Sequence, residues 1–148
     1  TESFYREYRA VCVGCPEPMS GTIDAPIGRD PNSVVGRCVR PDGVRAVTHY
    51  EVLGTEDGLS LLRLRPETGR THQIRVHMAS TGHPLLGDTL YHSDDKISSC
   101  ASFSRAALHA WKVSFQHPFR DEMLLLEAPL PFDFRELVSL SGSDLLSI

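Results

Sequence analysis

The sequence lacks any hydrophobic segment long enough to cross a membrane. Of its 148 residues, 41% are hydrophobic and 23% are charged, and both fractions are ordinary for one globular domain. A membrane-spanning helix needs about 20 consecutive apolar residues, and polar residues interrupt every apolar run well before that length. The composition therefore predicts a single domain, long enough to bury a core, that works inside the cell and has no membrane partner.

The sequence also lacks a complete metal-binding or disulfide pattern. Its four cysteines are spread along the chain, at Cys12, Cys15, Cys38 and Cys100. The first two have the spacing of half a zinc site, but no second close pair follows. His72 and His77 lie about 140° apart around a helix, whereas a zinc-binding pair needs a spacing of about four residues. We therefore predict reduced thiols and no metal, with His72 as a capping or packing residue and His77 as a partly buried one.

Alternating apolar residues predict a sheet that is largely antiparallel. The predicted elements are a strand over 5–13, a loop with short strands over 21–44, hairpins of 47–54 with 59–64 and of 107–115 with 123–127, and a short helix over 132–140. The tetrapeptide Thr-Glu-Asp-Gly at 55–58 lies between the strands of the first hairpin. Strands of this kind, accompanied by two or three helices, predict an α+β domain.

Residues 65–91 carry the densest pattern in the chain. A Thr-Gly turn at 68–69 ends a predicted strand, and a helix is predicted over 71–81 with Thr71 as its N-cap. Residues 61–80 contain four arginines and one acidic residue, although the whole chain has a net charge of −4. Cationic side chains and free backbone N–H groups at a helix start attract anions. We therefore predict a site for a phosphate or a carboxylate at this helix start.

Six segments occur in an order that is typical of one enzyme family. They are residues 4–14, 21–29, 46–53, 65–91, 108–118 and 128–134, and they include Gly-Arg-Thr-His-Gln-Ile-Arg-Val-His at 69–77. Together they resemble the RNA pseudouridine synthases of the RluA/RsuA type, which isomerise uridine in RNA without a metal or another cofactor. The resemblance implies an α+β fold with a mixed, largely antiparallel sheet and flanking helices. It also implies a cleft across one face of that sheet and ribosomal or transfer RNA as the partner.

The resemblance implies roles for three residues, and the helix start suggests a role for two more. Arg75 matches the arginine that pairs with the family's catalytic aspartate, keeping it ionised and oriented. Tyr8 matches the tyrosine that stacks on the base and assists proton transfer, and Leu108 matches the floor of the uracil pocket. Arg70 and Thr71 are predicted to bind RNA phosphate at the helix start, although Arg70 fits a brace for the turn equally well. Without the resemblance, Arg75 would be interpreted as a solvated helix residue and Tyr8 as a core aromatic.

One family motif has no counterpart in this sequence. The catalytic aspartate of the family lies in a His-Arg-Leu-Asp-x-x-Thr-Ser-Gly motif upstream of the tyrosine strand, whereas the chain starts seven residues before Tyr8. We expect residues 1–148 to be the C-terminal portion of a catalytic domain, inactive without a missing N-terminal part. We expect Arg75 either to reach solvent or to pair with a substitute such as Asp88, which should also accept hydrogen bonds from a turn.

The missing motif leaves three interpretations of the sequence open. The chain could be a truncated enzyme, one half of a split enzyme, or a degenerate paralogue. The alternative function is that of a non-catalytic RNA-binding or interaction protein derived from such an enzyme. A third hypothesis is a structural module whose basic helix binds an anionic protein.

Overall fold

The computed structural model describes residues 4–91 and 105–131. These residues form, in chain order, β1 (Phe4–Val13), β2 (Ser20–Asp24), β3 (Ile27–Arg29), β4 (Arg37–Val39), β5 (Val47–Glu56), β6 (Leu59–Pro66), α1 (Gln73–Ser80), β7 (Leu108–Gln116) and β8 (Met123–Glu127). Six strands form one sheet in the order β2-β5-β6-β1-β7-β8, and β3 pairs with β4 in a separate ribbon. The α+β class is confirmed, and the strand pairs of the described residues are all antiparallel. The helix predicted over 132–140 lies outside the described residues.

Both predicted hairpins are present. Strands β5 and β6 extend further than predicted, so their turn contains only Asp57 and Gly58. Both turn residues have a positive φ, of 51° and 77°. Two-residue turns of this conformation match the twist of antiparallel strands. The second hairpin joins β7 to β8 with Phe115 opposite Leu124, and β8 is an edge strand of the sheet.

The main core lies between one face of the sheet and helix α1. Side chains of β1, β5 and β6 pack there against the helix, because alternate residues of a strand point to the same face. The buried members of this core are Ala10, Cys12, Ile23, Val52, Leu62, Leu64, Ile74, Met78 and Leu85. Tyr8 and Leu108 are only partly buried and pack at the margin of the core, which leaves part of each side chain accessible.

Helix α1 begins later than the sequence predicts. It spans Gln73–Ser80 and its N-cap is His72, so the prediction of Thr71 as N-cap is wrong. The side chain of His72 makes no capping hydrogen bond either. The physical reason lies in Gln73, whose Oε1 accepts hydrogen bonds from Arg70 N (3.1 Å) and from the Thr68 hydroxyl (2.6 Å). This side chain holds residues 68–72 as a turn and prevents Thr71 from starting the helix.

A buried chain of hydrogen bonds fixes the helix to the sheet. Gln73 Nε2 donates to Thr48 Oγ1 (3.0 Å), and the Thr48 hydroxyl lies 2.8 Å from His77 Nδ1. His77 Nε2 lies 2.9 Å from the carbonyl oxygen of Ala25, which can only accept. The imidazole therefore carries its proton on Nε2 and accepts at Nδ1. His77 is fully buried and not partly buried as predicted, and burial lowers its pKa, so the ring is neutral.

Candidate active site

A cleft of about 250 Å³ opens where the start of α1 meets the sheet. It is lined by Arg6, Tyr8, Pro66, Thr68, Gly69, Arg70, His72, Gln73, Ile74, Arg75 and Leu108. Strands β1 and β7 supply Tyr8 and Leu108, and helix α1 supplies Arg75. The fold thus brings together three predicted site residues that are widely separated along the chain.

Tyr8 lies beside an irregularity in the sheet. The pairing of β1 with β7 shifts between Glu7, opposite Lys112, and Tyr8, opposite Ala110, so β7 contains one extra residue there. Such bulges redirect neighbouring side chains and are frequent beside active sites. Leu108 lies opposite Ala10 in the same strand pair. Both Tyr8 and Leu108 pack on the core from one side and border the cleft on the other.

Arg75 is held in a bidentate ion pair with Asp88. Its Nε lies 2.9 Å from Asp88 Oδ2, and its Nη2 lies 2.9 Å from Oδ1. The side chain of Asp88 is fully buried, whereas 24% of the Arg75 side chain is exposed. The guanidinium therefore has a carboxylate partner among the described residues. Its third nitrogen, Nη1, has no hydrogen-bond partner among residues 4–91 and 105–131.

Asp88 accepts four hydrogen bonds. Besides the two from Arg75, the backbone N–H groups of Leu90 (3.1 Å) and Tyr91 (3.3 Å) donate to Oδ1, as the sequence predicted for this turn. Burial raises the pKa of Asp88, but the hydrogen bonds and charge of Arg75 outweigh it, so the pKa lies below its usual range. Asp88 is thus an ionised, enclosed carboxylate that positions Arg75.

A second group of contacts surrounds the same arginine. The Arg75 guanidinium carbon lies 5.2 Å from the centre of the Tyr91 ring, a cation–π distance. The Tyr91 hydroxyl accepts a hydrogen bond from Arg37 N (3.0 Å) and lies 2.6 Å from His72 Nδ1. Tyr91 was not among the predicted site residues. Its position at the end of the 65–91 motif was the one available signal.

Arg70 and Thr71 differ in their relation to the cleft. Arg70 is exposed and lines it, and its Nε donates to the carbonyl oxygen of Arg45 (2.8 Å). One nitrogen of the Arg70 guanidinium is thus anchored to the backbone at Arg45, and the side chain is exposed. Thr71 is exposed but lies outside the cleft lining. Arg6, which the sequence analysis missed, also lines the cleft and donates from Nη2 to Thr68 O (2.9 Å).

The described residues contain neither a cluster that could hold a metal ion nor a helix long and apolar enough to cross a membrane. Within the same part of the chain, Cys12 is buried and Cys15 is exposed. Burial raises the pKa of the Cys12 thiol to about 12. This thiol is therefore protonated and acts as a small apolar group in the core.

Comparison with known proteins identifies the family. Residues 1–80 match the family model described as RNA pseudouridylate synthase. The chain is 48% identical over 133 residues to the uncharacterized RNA pseudouridine synthase YjbO of Bacillus subtilis, covering 90% of this chain and 45% of that protein. It is 42% identical over 148 residues to the ribosomal large subunit pseudouridine synthase D of Escherichia coli K12, covering 94% and 45%.

Solved structures agree with this match. The human RNA pseudouridylate synthase domain containing 1 superposes with a TM-score of 0.73 at 26% identity, covering 96% of this chain and 67% of that one. The chain spans a little less than half the length of the curated relatives that it matches. Because its sequence matches the family model and its fold matches a solved structure of the family, the chain belongs to the RNA pseudouridylate synthase family.

Proposed function

We propose that the protein containing these residues isomerises uridine to pseudouridine in structured RNA, either ribosomal or transfer RNA, inside the cell. The observation that carries the proposal is the meeting of Tyr8, Arg75 and Leu108 in one cleft. Each was matched to the family from a different segment of the sequence. The relatives named as RNA pseudouridine synthases, including one named for the large ribosomal subunit, support the same reaction and substrate class.

The reaction requires positioning and proton transfer, which the cleft residues can supply. The bond from uracil N1 to ribose C1′ breaks and a bond from C5 to C1′ forms, while C5 loses a proton and N1 gains one. No electrons are transferred to an outside acceptor, so the step balances without a redox cofactor. In this proposal Tyr8 stacks on the base and assists proton transfer, and Leu108 forms the floor of the uracil pocket.

The proposal assigns the reacting carboxylate to a part of the protein outside these 148 residues. Asp88 is unsuitable, because it is fully buried and already accepts four hydrogen bonds. Arg75 Nη1, in contrast, has no partner among the described residues and belongs to a side chain that lines the cleft. A second carboxylate could approach it there while Asp88 holds the opposite edge of the guanidinium.

The N-terminal part of the catalytic domain is the proposed partner of this chain. The edge strand β8 exposes the apolar side chains of Met123, Leu125 and Leu126, and exposed apolar groups of this kind are commonly covered by another segment. The relatives are roughly twice as long as the matched region. Residues 1–148 would thus supply the tyrosine, arginine and leucine side of the active site and be inactive alone.

One observation favours the alternative of a non-catalytic RNA-binding or interaction protein. The Arg75–Asp88 pair is complete and needs no further carboxylate to neutralise its charge. A paralogue that had lost the catalytic aspartate would therefore keep the cleft intact, with exposed Arg70 at its margin. Such a protein would bind RNA and leave uridine unchanged.

The test compares the complete protein with residues 1–148 alone. Both are incubated with unmodified large-subunit ribosomal RNA and with unmodified transfer RNA, and pseudouridine is detected by carbodiimide labelling and reverse transcription. Circular dichroism checks that the shorter chain is folded. We expect turnover by the complete protein only. Turnover by the shorter chain would place the catalytic carboxylate within it, whereas RNA binding without turnover by the complete protein would favour the alternative.

A further inference from the structure

His72 has a backbone conformation that L-residues rarely adopt. Its φ is 57° and its ψ is 23°, in the left-handed region. Among the described residues, one other non-glycine residue has a positive φ, and that residue is Asp57 in the β5–β6 turn, whose geometry demands it. Strained backbone of this kind concentrates at functional sites. Capping does not explain the conformation of His72, because its side chain makes no capping hydrogen bond.

Tyr91 contacts the His72 ring through both its own ring and its hydroxyl group. The two rings meet edge-on, with centroids 5.6 Å apart and planes at 76°, and the hydroxyl lies 2.6 Å from His72 Nδ1. The Tyr91 oxygen already accepts a hydrogen bond from Arg37 N. The hydroxyl hydrogen is therefore available to donate to Nδ1, and when it does so the neutral imidazole carries its own hydrogen on Nε2.

In this tautomer, the Nε2–H group of His72 is a donor without a partner among the described residues. In the part of the chain that the structure describes, Nε2 has no hydrogen-bond partner, and the residue lines the cleft. The buried His77 differs, because both of its ring nitrogens are paired. Burial, together with the charges of Arg75 and Arg37, lowers the pKa of His72 and keeps the ring neutral.

We propose that His72 is a substrate-binding residue whose Nε2–H donates a hydrogen bond to an oxygen atom of the bound RNA. This inference rests on the proposed function, because RNA must occupy the cleft. The neighbouring guanidinium groups of Arg6, Arg70 and Arg75 are also donors only. A group of the RNA that binds among them must therefore be a hydrogen-bond acceptor. A phosphate oxygen and a uracil carbonyl oxygen both satisfy this chemistry.

The test uses His72→Gly in the complete protein. Glycine adopts a φ near +57° freely, so this variant removes the imidazole and relieves the backbone strain. We expect its Tm to stay close to that of the wild type, because relief of the strain offsets the lost contacts with Tyr91. We expect the KM for RNA to rise roughly tenfold, the loss expected for one hydrogen bond, while kcat changes little. The slope of log Kd against log salt should stay constant, because a neutral group releases no counterion.

Two further variants separate binding from structure. His72→Asn tolerates the left-handed conformation and keeps a shorter N–H donor, so its KM should fall between those of the wild type and His72→Gly. Tyr91→Phe keeps the ring beside Arg75 but removes the hydroxyl that contacts the imidazole. Its KM should rise less than that of His72→Gly. Equal KM and Kd values for the wild type and His72→Gly would overturn the inference.

Separate measurements identify the RNA oxygen that His72 contacts and test the proposed function. Once the modified uridine is mapped, RNA with an abasic target is compared with intact RNA. A persistent binding defect of His72→Gly assigns the oxygen to the RNA backbone, and a lost defect assigns it to uracil. A wild-type protein that binds RNA without turnover overturns the proposed function, while the Kd comparison still tests His72. A wild-type protein that neither binds RNA nor modifies uridine overturns both the proposed function and the role of His72.

Discussion

Arg75 and Asp88 form a bidentate ion pair, in which two parallel hydrogen bonds of 2.9 Å join the edge of the guanidinium to the carboxylate. The carboxylate is fully buried, and the guanidinium reaches the cleft. A bidentate pair restricts the plane of an arginine more than a single contact does. The direction of Nη1 is thereby fixed before any ligand binds. Arg75 is consequently preorganised, and Asp88 acts on the cleft through it.

Replacing Asp88 with asparagine should destabilise the protein. The substitution leaves Arg75 without a charged partner and directs an amide donor toward another donor. Removing one member of a buried ion pair costs about 3 kcal/mol or more, and this value should appear in urea denaturation of the complete protein. A double-mutant cycle with Arg75→Met isolates the pair itself. A loss below about 0.5 kcal/mol would show that the pair is solvated and does not order Arg75.

The same pair predicts a stability that depends on acid pH. The pKa of Asp88 lies below its usual range in the folded protein, and the unfolded value is about 3.9. The stabilisation is therefore complete above pH ~4 and is lost as the pH falls toward the folded pKa. Urea midpoints measured between pH 5 and pH 2.5 should fall more steeply for the wild type than for Asp88→Asn. Parallel curves would contradict this prediction.

The sequence predicted those features of the fold that local chemistry determines. The β5–β6 hairpin followed from the turn around Asp57 and Gly58, because only a short turn of this type joins the strands there. The start of α1 could not be predicted, because it depends on the contacts of Gln73 with Val47 and Thr48 in a distant strand. Thr71 has the composition of an N-cap, but these tertiary contacts override its local preference.

The sequence indicated which residues lie at the candidate site better than it indicated how the backbone positions them. Tyr8 and Leu108 were identified through the family resemblance, since a tyrosine or leucine in a strand is otherwise a core residue. The bulge that adds a residue to β7 beside Tyr8 has no signature in the sequence. The left-handed His72 was equally hidden, because histidine, although enriched in that conformation among non-glycine residues, adopts it in only a small minority of cases.

Replacing Gln73 with leucine should destabilise the helix start. Gln73 is 5% exposed, and its side chain donates to Val47 O and Thr48 Oγ1 while its oxygen accepts from Thr68 and Arg70. Leucine has a similar volume but leaves the Thr68 hydroxyl hydrogen and Arg70 N without their acceptor, while Val47 O keeps Glu67 N and Thr48 Oγ1 keeps His77 as a partner. Each buried donor left unpaired costs about 1–3 kcal/mol. We expect the free energy of unfolding to fall by about 3 kcal/mol in chemical denaturation.

Gln116→Leu is the matched control for the Gln73 substitution. Gln116 is exposed at the end of β7, and surface changes of this kind shift stability by about 0.5 kcal/mol or less. Similar losses in the two variants would mean that the hydrogen-bond ladder at Gln73 contributes nothing specific to stability.

His77 should make the protein less stable in mild acid. Burial lowers its folded pKa, whereas the unfolded value is about 6.5. Below pH ~6.5 the unfolded chain takes up a proton that the folded chain refuses, so stability falls until the lower folded pKa is reached. Urea midpoints at pH 8 and pH 5.5 should differ more for the wild type than for His77→Gln. An unchanged difference would assign the acid sensitivity to other groups.

Replacing Arg70 with alanine should weaken RNA binding equally for all RNA sequences. Arg70 is exposed, lines the cleft, and is anchored by one nitrogen to Arg45 O. A guanidinium that contacts one phosphate releases about one counterion, so the slope of log Kd against log salt should fall by roughly 0.9. The control is Arg120→Ala, since Arg120 is exposed and lies outside the cleft lining. If both variants keep the wild-type slope while Arg70→Ala lowers the Tm, Arg70 braces the turn and does not contact phosphate.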